Sequence, residues 1–435
     1  MPSTLTIDVT AASQGERSGP RTSEGERLLL DGDGDRHSLK AEGILAYRLG
    51  SFVEAERLFS ESFTQNEPDP ETLIYFNNAL VSQQAEFVTI AVVVSFNGET
   101  AIHTSKEILR GVAQAQREFI KTGNALKVVI GDDQLDPQIA QQLALSFAEN
   151  PAILGVIGHP DSDMSLAAGD VYQQVGLVMM SATSTAISLT GIGDFIFRTI
   201  PNDLIAAQTM ATYVSDELKS RKIAVFYNSQ SDYSRSLYQS FLDALGPQGT
   251  VVITADMDGQ APSFDLAQFM GRMEAEGAEA IALLTNASKL SEVLEIIQIN
   301  QRRLPIIAGD ALYNLKILEA GAVNAEGLVV AIPWHILVNP SAIFPVSARE
   351  LWQGDVSWRT ALSYDATRAL SKALQETPTY DRQSLQNILA DPNFSATGAI
   401  NKINFSPSGD RNQSILMVRV VQGNRYGLDY QFVPF

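Results

Sequence analysis

Cysteine is absent from the 435 residues, which excludes disulfides, thiolate metal sites, a cysteine nucleophile and a lipidated cysteine anchor. The redox compartment stays open. Histidine is scarce: His37, His103, His159 and His335 are scattered with no pair at helical ligand spacing, so no metal is expected. No apolar run reaches the ~18 residues needed to span a bilayer. Basic charge is in deficit, 31 Lys+Arg against 50 Asp+Glu for a net charge of -19, and this repels phosphate backbones and anionic lipid surfaces. Neither nucleic acid nor direct membrane insertion is expected. Met1 to Arg36 holds only Leu28-Leu29-Leu30 as an apolar run, so no signal peptide is visible. Either it has been removed or the protein stays inside.

What is present reads as a folding chain. Hydrophobic residues at 45% with 19% charged are ordinary for a globular protein, and the length corresponds to about three units of ~150 residues. Residues 1–37 are rich in Ser, Thr, Gly, Asp and Glu without periodicity and read as a flexible tail. In 38–86, Gly43, Ala46, Tyr47, Gly50, Ala55 and Phe59 sit where two short helices need small residues for close approach and a ring between them. That spacing resembles one tetratricopeptide repeat, and Asp69-Pro70-Glu71 reads as a further helix start. A lone repeat cannot bury its own face, so it is expected to pack on its neighbour or on a partner.

From Phe87 the chain alternates short apolar strands with amphipathic helices, the signature of parallel α/β sheets. Strands are predicted at Val88–Val94, Leu126–Ile130, Ile153–Ile157 and Leu177–Met180. After Arg198-Thr199-Ile200-Pro201 the rhythm restarts, with strands at Ile223–Tyr227, Thr250–Thr254, Ala280–Leu284, Pro305–Ala308 and Leu328–Ile332. The fold class is therefore α/β, two doubly wound parallel-sheet lobes, with a cleft between the carboxyl ends of their strands.

The stretches Glu107-Ile108-Leu109-Arg110-Gly111, Val156-Ile157-Gly158-His159, Gly176 to Ser181, Phe197-Arg198-Thr199 with Pro201 and Asp203, Asn393 to Gly398 and Phe405 to Asp410 occur in an order that resembles the type I periplasmic substrate-binding proteins of amino-acid ABC importers. The resemblance covers about Glu86 to Pro434, and the repeat-like segment before it looks like their cyanobacterial branch. It implies three crossings, near Thr199–Pro201, Ala331–Trp334 and Gly398–Lys402. Lobe 1 would be 87–200 plus 333–398, and lobe 2 would be 201–332 plus 399–435. It further implies a periplasmic location, a small amino acid as ligand, a membrane ABC permease as partner, no cofactor and no catalysis.

Candidate ligand contacts follow from strand ends and from the resemblance together. Gly158 to Ser165 is a turn opening a helix whose amides and hydroxyls suit a carboxylate, with Ser162 and Ser165 as donors; an ordinary capped helix start is the alternative. The resemblance places a serine where Asp163 stands. Asp163 is expected to cap the helix and face solvent, the alternative being a carboxylate that sets specificity from inside the pocket. In Ser181-Ala182-Thr183-Ser184-Thr185, the resemblance has the Ser184 carbonyl accept from an α-ammonium and Thr185 donate to a carboxylate. In lobe 2 it implies that Tyr233 closes over the ligand, that Asp310 receives the ammonium, and that Thr285 and Asn286 touch the ligand less specifically. Asp310 is otherwise a helix cap. The loop Phe96–His103 and Trp334 are weaker pocket candidates.

An enzyme finds less support. No Gly-rich phosphate loop follows a strand, Ser, His and Asp form no nucleophile elbow, and Asp132-Asp133 are explained by a turn and a cap. A sensory receptor with the same clamp, coupled through the amino-terminal helices to a signalling partner, stays open as an alternative to import.

Overall fold

The computed structural model describes residues 21–30, 38–258 and 266–435. Most of the expected tail, with His37, lies outside the described residues. Its 21–30 segment, however, is folded: β1 (Arg21–Ser23) pairs antiparallel with a sheet strand, and Leu29 is buried. The expectation of a tail is corrected there.

Helices α1 (Leu39–Arg48), α2 (Phe52–Gln65) and α3 (Pro70–Val81) follow. Ser38 caps α1, and Asp69 caps α3 ahead of Pro70 as its signature predicts. The Phe59 ring packs where a Cβ on Gly43 would come within 2.7 Å, which is the close approach the spacing requires. Buried Glu71 accepts from the Leu29 amide at 2.8 Å and from the Tyr75 hydroxyl at 2.8 Å, and pairs with Lys40 at 2.7 Å. This ionic knot pins the early segment to the helices.

The first sheet is built from β2 (Val88–Val94), α4 (Glu99–Lys121), β3 (Leu126–Asp132), α5 (Pro137–Glu149), β4 (Ile153–Ile157), α6 (Ser162–Val175), β5 (Val178–Ser181) and β6 (Ile196–Arg198). Its order is β1-β3-β2-β4-β5-β6, parallel except for β1. Alternate residues of β2 feed different packing layers: Ile90, Val92 and Val94 enter one cluster, Ala91 and Val93 another. Burial on both faces is why this strand reads as an unbroken apolar run. Strand β3 runs two residues beyond the predicted end because Gly131 and Asp132 pair with Val93 and Val94 of β2 on one side and with β1 on the other. Farther along the same edge, Asn78 of α3 donates to the Val128 carbonyl and accepts from its amide. The edge is thereby closed by the amino-terminal segment.

The second sheet comprises α7 (Asp203–Thr212), β7 (Lys222–Tyr227), α8 (Asp232–Leu245), β8 (Thr250–Asp256), α9 (Leu266–Ala275), β9 (Ala280–Leu284), α10 (Leu290–Asn300), β10 (Ile306–Ala308), α11 (Leu315–Glu319), α12 (Ala322–Ala325) and β11 (Val329–Ile332). The chain then returns to the first sheet with α13 (Ile343–Trp352), α14 (Trp358–Glu376) and α15 (Arg382–Leu389), α14 lying along α4. The short hairpin β12 (Ala396–Thr397) and β13 (Lys402–Ile403) leads to β14 (Leu416–Gln422) and β15 (Tyr430–Pro434), which extend the second sheet antiparallel. Its order is β15-β14-β11-β10-β9-β7-β8. Buried Arg198 donates to Asp410 at 2.7 Å and buried Arg411 to Asp365 at 2.6 Å, so charge pairs tie the passages between sheets.

Candidate ligand-binding cleft

Each sheet reverses its winding beside its first long strand, between β2 and β4 in one and between β7 and β9 in the other. Open sheets bind ligands at such switch points, beyond the carboxyl ends of the strands. A cavity of about 720 Å³ lies there, lined from the first lobe by Ser95, Ser162, Asp163 and Thr183 and from the second by Ser231, Tyr233, Asn286 and Asp310.

The loop after β4 starts α6 with Asp161, whose carboxylate accepts from the Met164 amide at 2.9 Å. Burial, with repulsion from Asp163 and Asp133, pushes the Asp161 carboxyl up to about 7. Asp161 therefore fills the capping role expected of Asp163. Asp163 instead reaches across the cleft: its carboxylate accepts from the Asp232 amide at 2.8 Å and the Ser231 hydroxyl at 3.2 Å, at the start of α8. It lines the cavity and faces lobe 2, not solvent. Ser162 also lines the cavity, and its hydroxyl accepts from the Ala186 amide at 3.2 Å.

The other hydroxyls expected in the first lobe sit one layer deeper. Buried Ser165 accepts from the His159 amide at 3.1 Å and shares a 2.8 Å bond with Ser184. The Ser184 carbonyl faces the Arg198 guanidinium at 3.4 Å, and the Thr185 carbonyl accepts from the Asp203 amide at 2.9 Å. Neither residue lines the cavity; Thr183 of the same loop does. Thr185 keeps its hydroxyl beside the buried Asp203, whose carboxyl is pushed up to about 7, chiefly by burial.

In the second lobe the Tyr233 hydroxyl donates to Asp310 Oδ1 at 2.6 Å. Burial raises the Asp310 carboxyl above its ordinary value, while Tyr233 and the Arg359 charge pull it back. Asn286 lines the cavity and accepts from Asn228 at 3.1 Å; Thr285 is buried behind it. Of the expected loop, Asn97 and Gly98 contribute to the wall together with Glu99 to Ala101, which already form the first turn of α4, whereas Trp334 is buried against Phe344. Two further bridges join the lobes, Lys316 to Glu99 at 2.6 Å and the Ile187 amide to Ser236 at 2.9 Å.

Trp358 and Arg359, at the start of α14, line the cavity and were missed by sequence reasoning. No local motif marks them, since only the return of the chain to the first sheet brings them there. Asp133 and the Tyr172 hydroxyl engage the two ring nitrogens of buried His159 at 2.9 and 3.2 Å. Ser165 touches only its backbone, so this cluster is not arranged as a nucleophile and base. Among the described residues, no group of three His, Asp or Glu is placed to hold a metal, and no helix is long and apolar enough to cross a membrane.

Two doubly wound lobes facing each other across a polar, charged cleft define a class: receptors that enclose a small solute. The sequence profile of the periplasmic binding proteins matches residues 88–425, and the chain belongs to that family. It is 27% identical over 313 residues to the Leu/Ile/Val-binding protein of Escherichia coli strain K12, covering 70% of this chain and 82% of that one. The ABC transporter substrate-binding protein of Desulfitobacterium hafniense, solved in complex with Leu, superposes with a TM-score of 0.67 at 25% identity, covering 80% of this chain and all of that one. A solute-binding protein from Rhodopseudomonas palustris BisB5, solved with 3,4-dihydroxybenzoic acid, shares the fold at TM-score 0.68 and 19% identity, covering 80% and 96%. The protein is a solute-binding receptor of the type I periplasmic class.

Proposed function

We propose that the protein captures a small amino acid by lobe closure and delivers it to a membrane ABC importer, without chemical turnover. The observation that carries this reading is the Tyr233–Asp310 pair on the cavity wall, an oriented carboxylate in a half-buried site suited to an ammonium group. Hydroxyls of Ser162 and Thr183 face it from the other lobe's part of the wall. The curated relative's name and the Leu complex support an amino acid as the ligand class. The lobes, 87–200 with 333–398 and 201–332 with 399–435, close about their three crossings, and ligand shifts the open ensemble toward the closed one. The family's usual location argues for the periplasm.

Thermal-shift screening against the twenty amino acids and related amides tests this, since a ligand at 100 times Kd stabilises by about 2.7 kcal/mol. No shift with any of them sinks the amino-acid reading. One observation favours a sensor as the second reading: α1 to α3 are fused to the first lobe through α3 and α4, and Leu49 and Val53 stand exposed on their outer side. A signalling kinase encoded beside the gene, in place of a permease, would favour it.

A further inference from the structure

The cavity is lined by several charges, and most of them are already satisfied. Glu99 pairs with Lys316 at 2.6 Å. Asp163 takes the Asp232 amide and the Ser231 hydroxyl, and Asp161 caps α6. Glu107, behind the wall, pairs with Arg110 and accepts from the Ser357 amide and the Thr360 hydroxyl. Glu319 stands on the second lobe's wall. Arg359 is different. Among the described residues its guanidinium makes one hydrogen bond, to the Tyr313 carbonyl at 3.4 Å, and no ion pair.

The guanidinium carbon lies 4.3 Å from the centre of the Trp358 ring, a cation–π contact that holds the side chain against the wall. Trp358 is itself buried on the cavity wall, and its indole N–H has no acceptor. Asp310 and Arg359 lie within electrostatic reach of each other from opposite lobes, yet no ion pair joins them. Glu107 also lies within reach, but a half-buried cation with no contact ion pair costs free energy that a ligand anion bound against it offsets. A rigid fork of N–H donors matches the paired oxygens of a carboxylate.

We propose that Arg359, positioned by Trp358, is the carboxylate anchor of the cleft. Asp310 holds the ligand's cation from lobe 2, and Arg359 holds an anionic oxygen pair from lobe 1. The two ends of a zwitterion then bridge the lobes, so that closure itself pairs both charges. This rests on the amino-acid reading only for the ammonium; the carboxylate end stands on Arg359 alone. The carboxylate comes from the amino acid's backbone or from its side chain.

Titration calorimetry on the full chain separates the cases, using leucine, glutamate, 3-methylbutylamine (leucine without its carboxylate) and 4-hydroxybenzoate (a carboxylate without an ammonium). Arg359→Gln should weaken carboxylate ligands roughly tenfold to a hundredfold. Loss for leucine and glutamate alike, with the amine unchanged, assigns the backbone carboxylate. Loss for glutamate alone assigns the side chain. If only 4-hydroxybenzoate binds the wild type and Arg359→Gln abolishes it, the anchor stands and the amino-acid reading fails. Unchanged affinity for every carboxylate that binds, in a variant with wild-type circular dichroism, overturns the proposal. So does a wild type that binds no carboxylate. Arg359→Lys keeps the charge without the fork, and should recover only part of the affinity; full recovery would mean that charge alone acts.

Discussion

A Cβ added to Gly309 would lie 2.3 Å from the Tyr233 hydroxyl oxygen and 2.6 Å from Leu237 Cδ2. Gly309 follows β10 and precedes Asp310, so the absence of a side chain there is what lets Tyr233 reach Asp310. Gly309→Ala should displace the ring from the carboxylate and lower ligand affinity about tenfold, ~1.4 kcal/mol. Tyr233→Phe should have a similar effect by removing the donor alone. Calorimetry on both checks this; wild-type affinity in both would mean the pair does not face the ligand.

Asp310→Ala should cost ~2 kcal/mol or more in binding, because the ligand cation is left in the closed cleft without its anion. The measurement is calorimetry, with circular dichroism to establish that the variant folds. Unchanged affinity would reduce Asp310 to a turn cap.

Asp163 predicts a uniform effect. Its carboxylate joins the lobes through the Asp232 amide and the Ser231 hydroxyl, so it stabilises the closed state whichever ligand lies inside. Asp163→Ser should weaken every ligand by the same factor, on the order of tenfold or less, as the competent closed population shrinks. A change of ligand preference, or a gain of a hundredfold for a neutral zwitterion, would contradict the latch and make Asp163 a specificity determinant.

Stability should fall as pH rises toward neutrality and level off above it. Asp161 and Asp203 ionise near 7 when folded, against an ordinary value of 3.8. Between those values the folded chain holds protons that the unfolded chain has released, so the stability these groups contribute at low pH is lost as pH passes about 7. His335 acts in the opposite sense: burial lowers it to about 4 from 6.5, so stability rises with pH across that interval and then levels. Between about pH 4 and 6.5 the two acids outweigh the one histidine, and from 6.5 to about 7 they act unopposed, so Tm should decline across this range, most steeply just below 7, and level off above it. Asp203→Asn should flatten the decline in a thermal melt series. A slope that is absent in the wild type, or the same in the variant, would contradict the assignment.

The sheets were legible because β2, β4, β7 and β9 are buried on both faces and leave continuous apolar runs that need no knowledge of their neighbours. The cleft followed from the strand ends. Its inner surface did not. Ser184 and Thr185 lie on the expected loop, yet one layer behind Thr183, and a polar loop does not announce which hydroxyl turns outward. Asp161 and Asp163 are equally good caps two residues apart; only the approach of α8 decides which one crosses the cleft. Arg359 reaches the cavity because α14 returns to α4 after the five parallel strands of the second sheet, a tertiary event with no local signature. Arg21 to Leu30 was hidden for a related reason, since its order comes from pairing with β3 and from Glu71.

The amino-terminal segment provides the last prediction. It lies outside the cavity, so removing residues 1–86 should leave the affinity of folded molecules within a few-fold of wild type. Stability should not survive equally well. Leu73, Ile74, Tyr75, Ala79 and Val81 of α3 are fully buried, Asn77 donates to Gln116 at 3.0 Å, and Asn78 satisfies both backbone groups of Val128. Truncation returns the apolar face of α4 to water, takes from Gln116 its partners Asn77 and Asn78 while leaving it the Leu126 carbonyl, and reopens the β3 edge. The truncated chain should therefore melt well below the full chain and tend to associate through the freed edge. Asn78→Ala in the full chain isolates the edge contribution and should lower Tm without altering Kd. A truncated protein as stable and monomeric as the parent, by calorimetry and sedimentation, would show that the helices are an accessory and not part of the first lobe's core. A large loss of affinity in a truncated chain that still folds would show that the two lobes are not the whole binding unit.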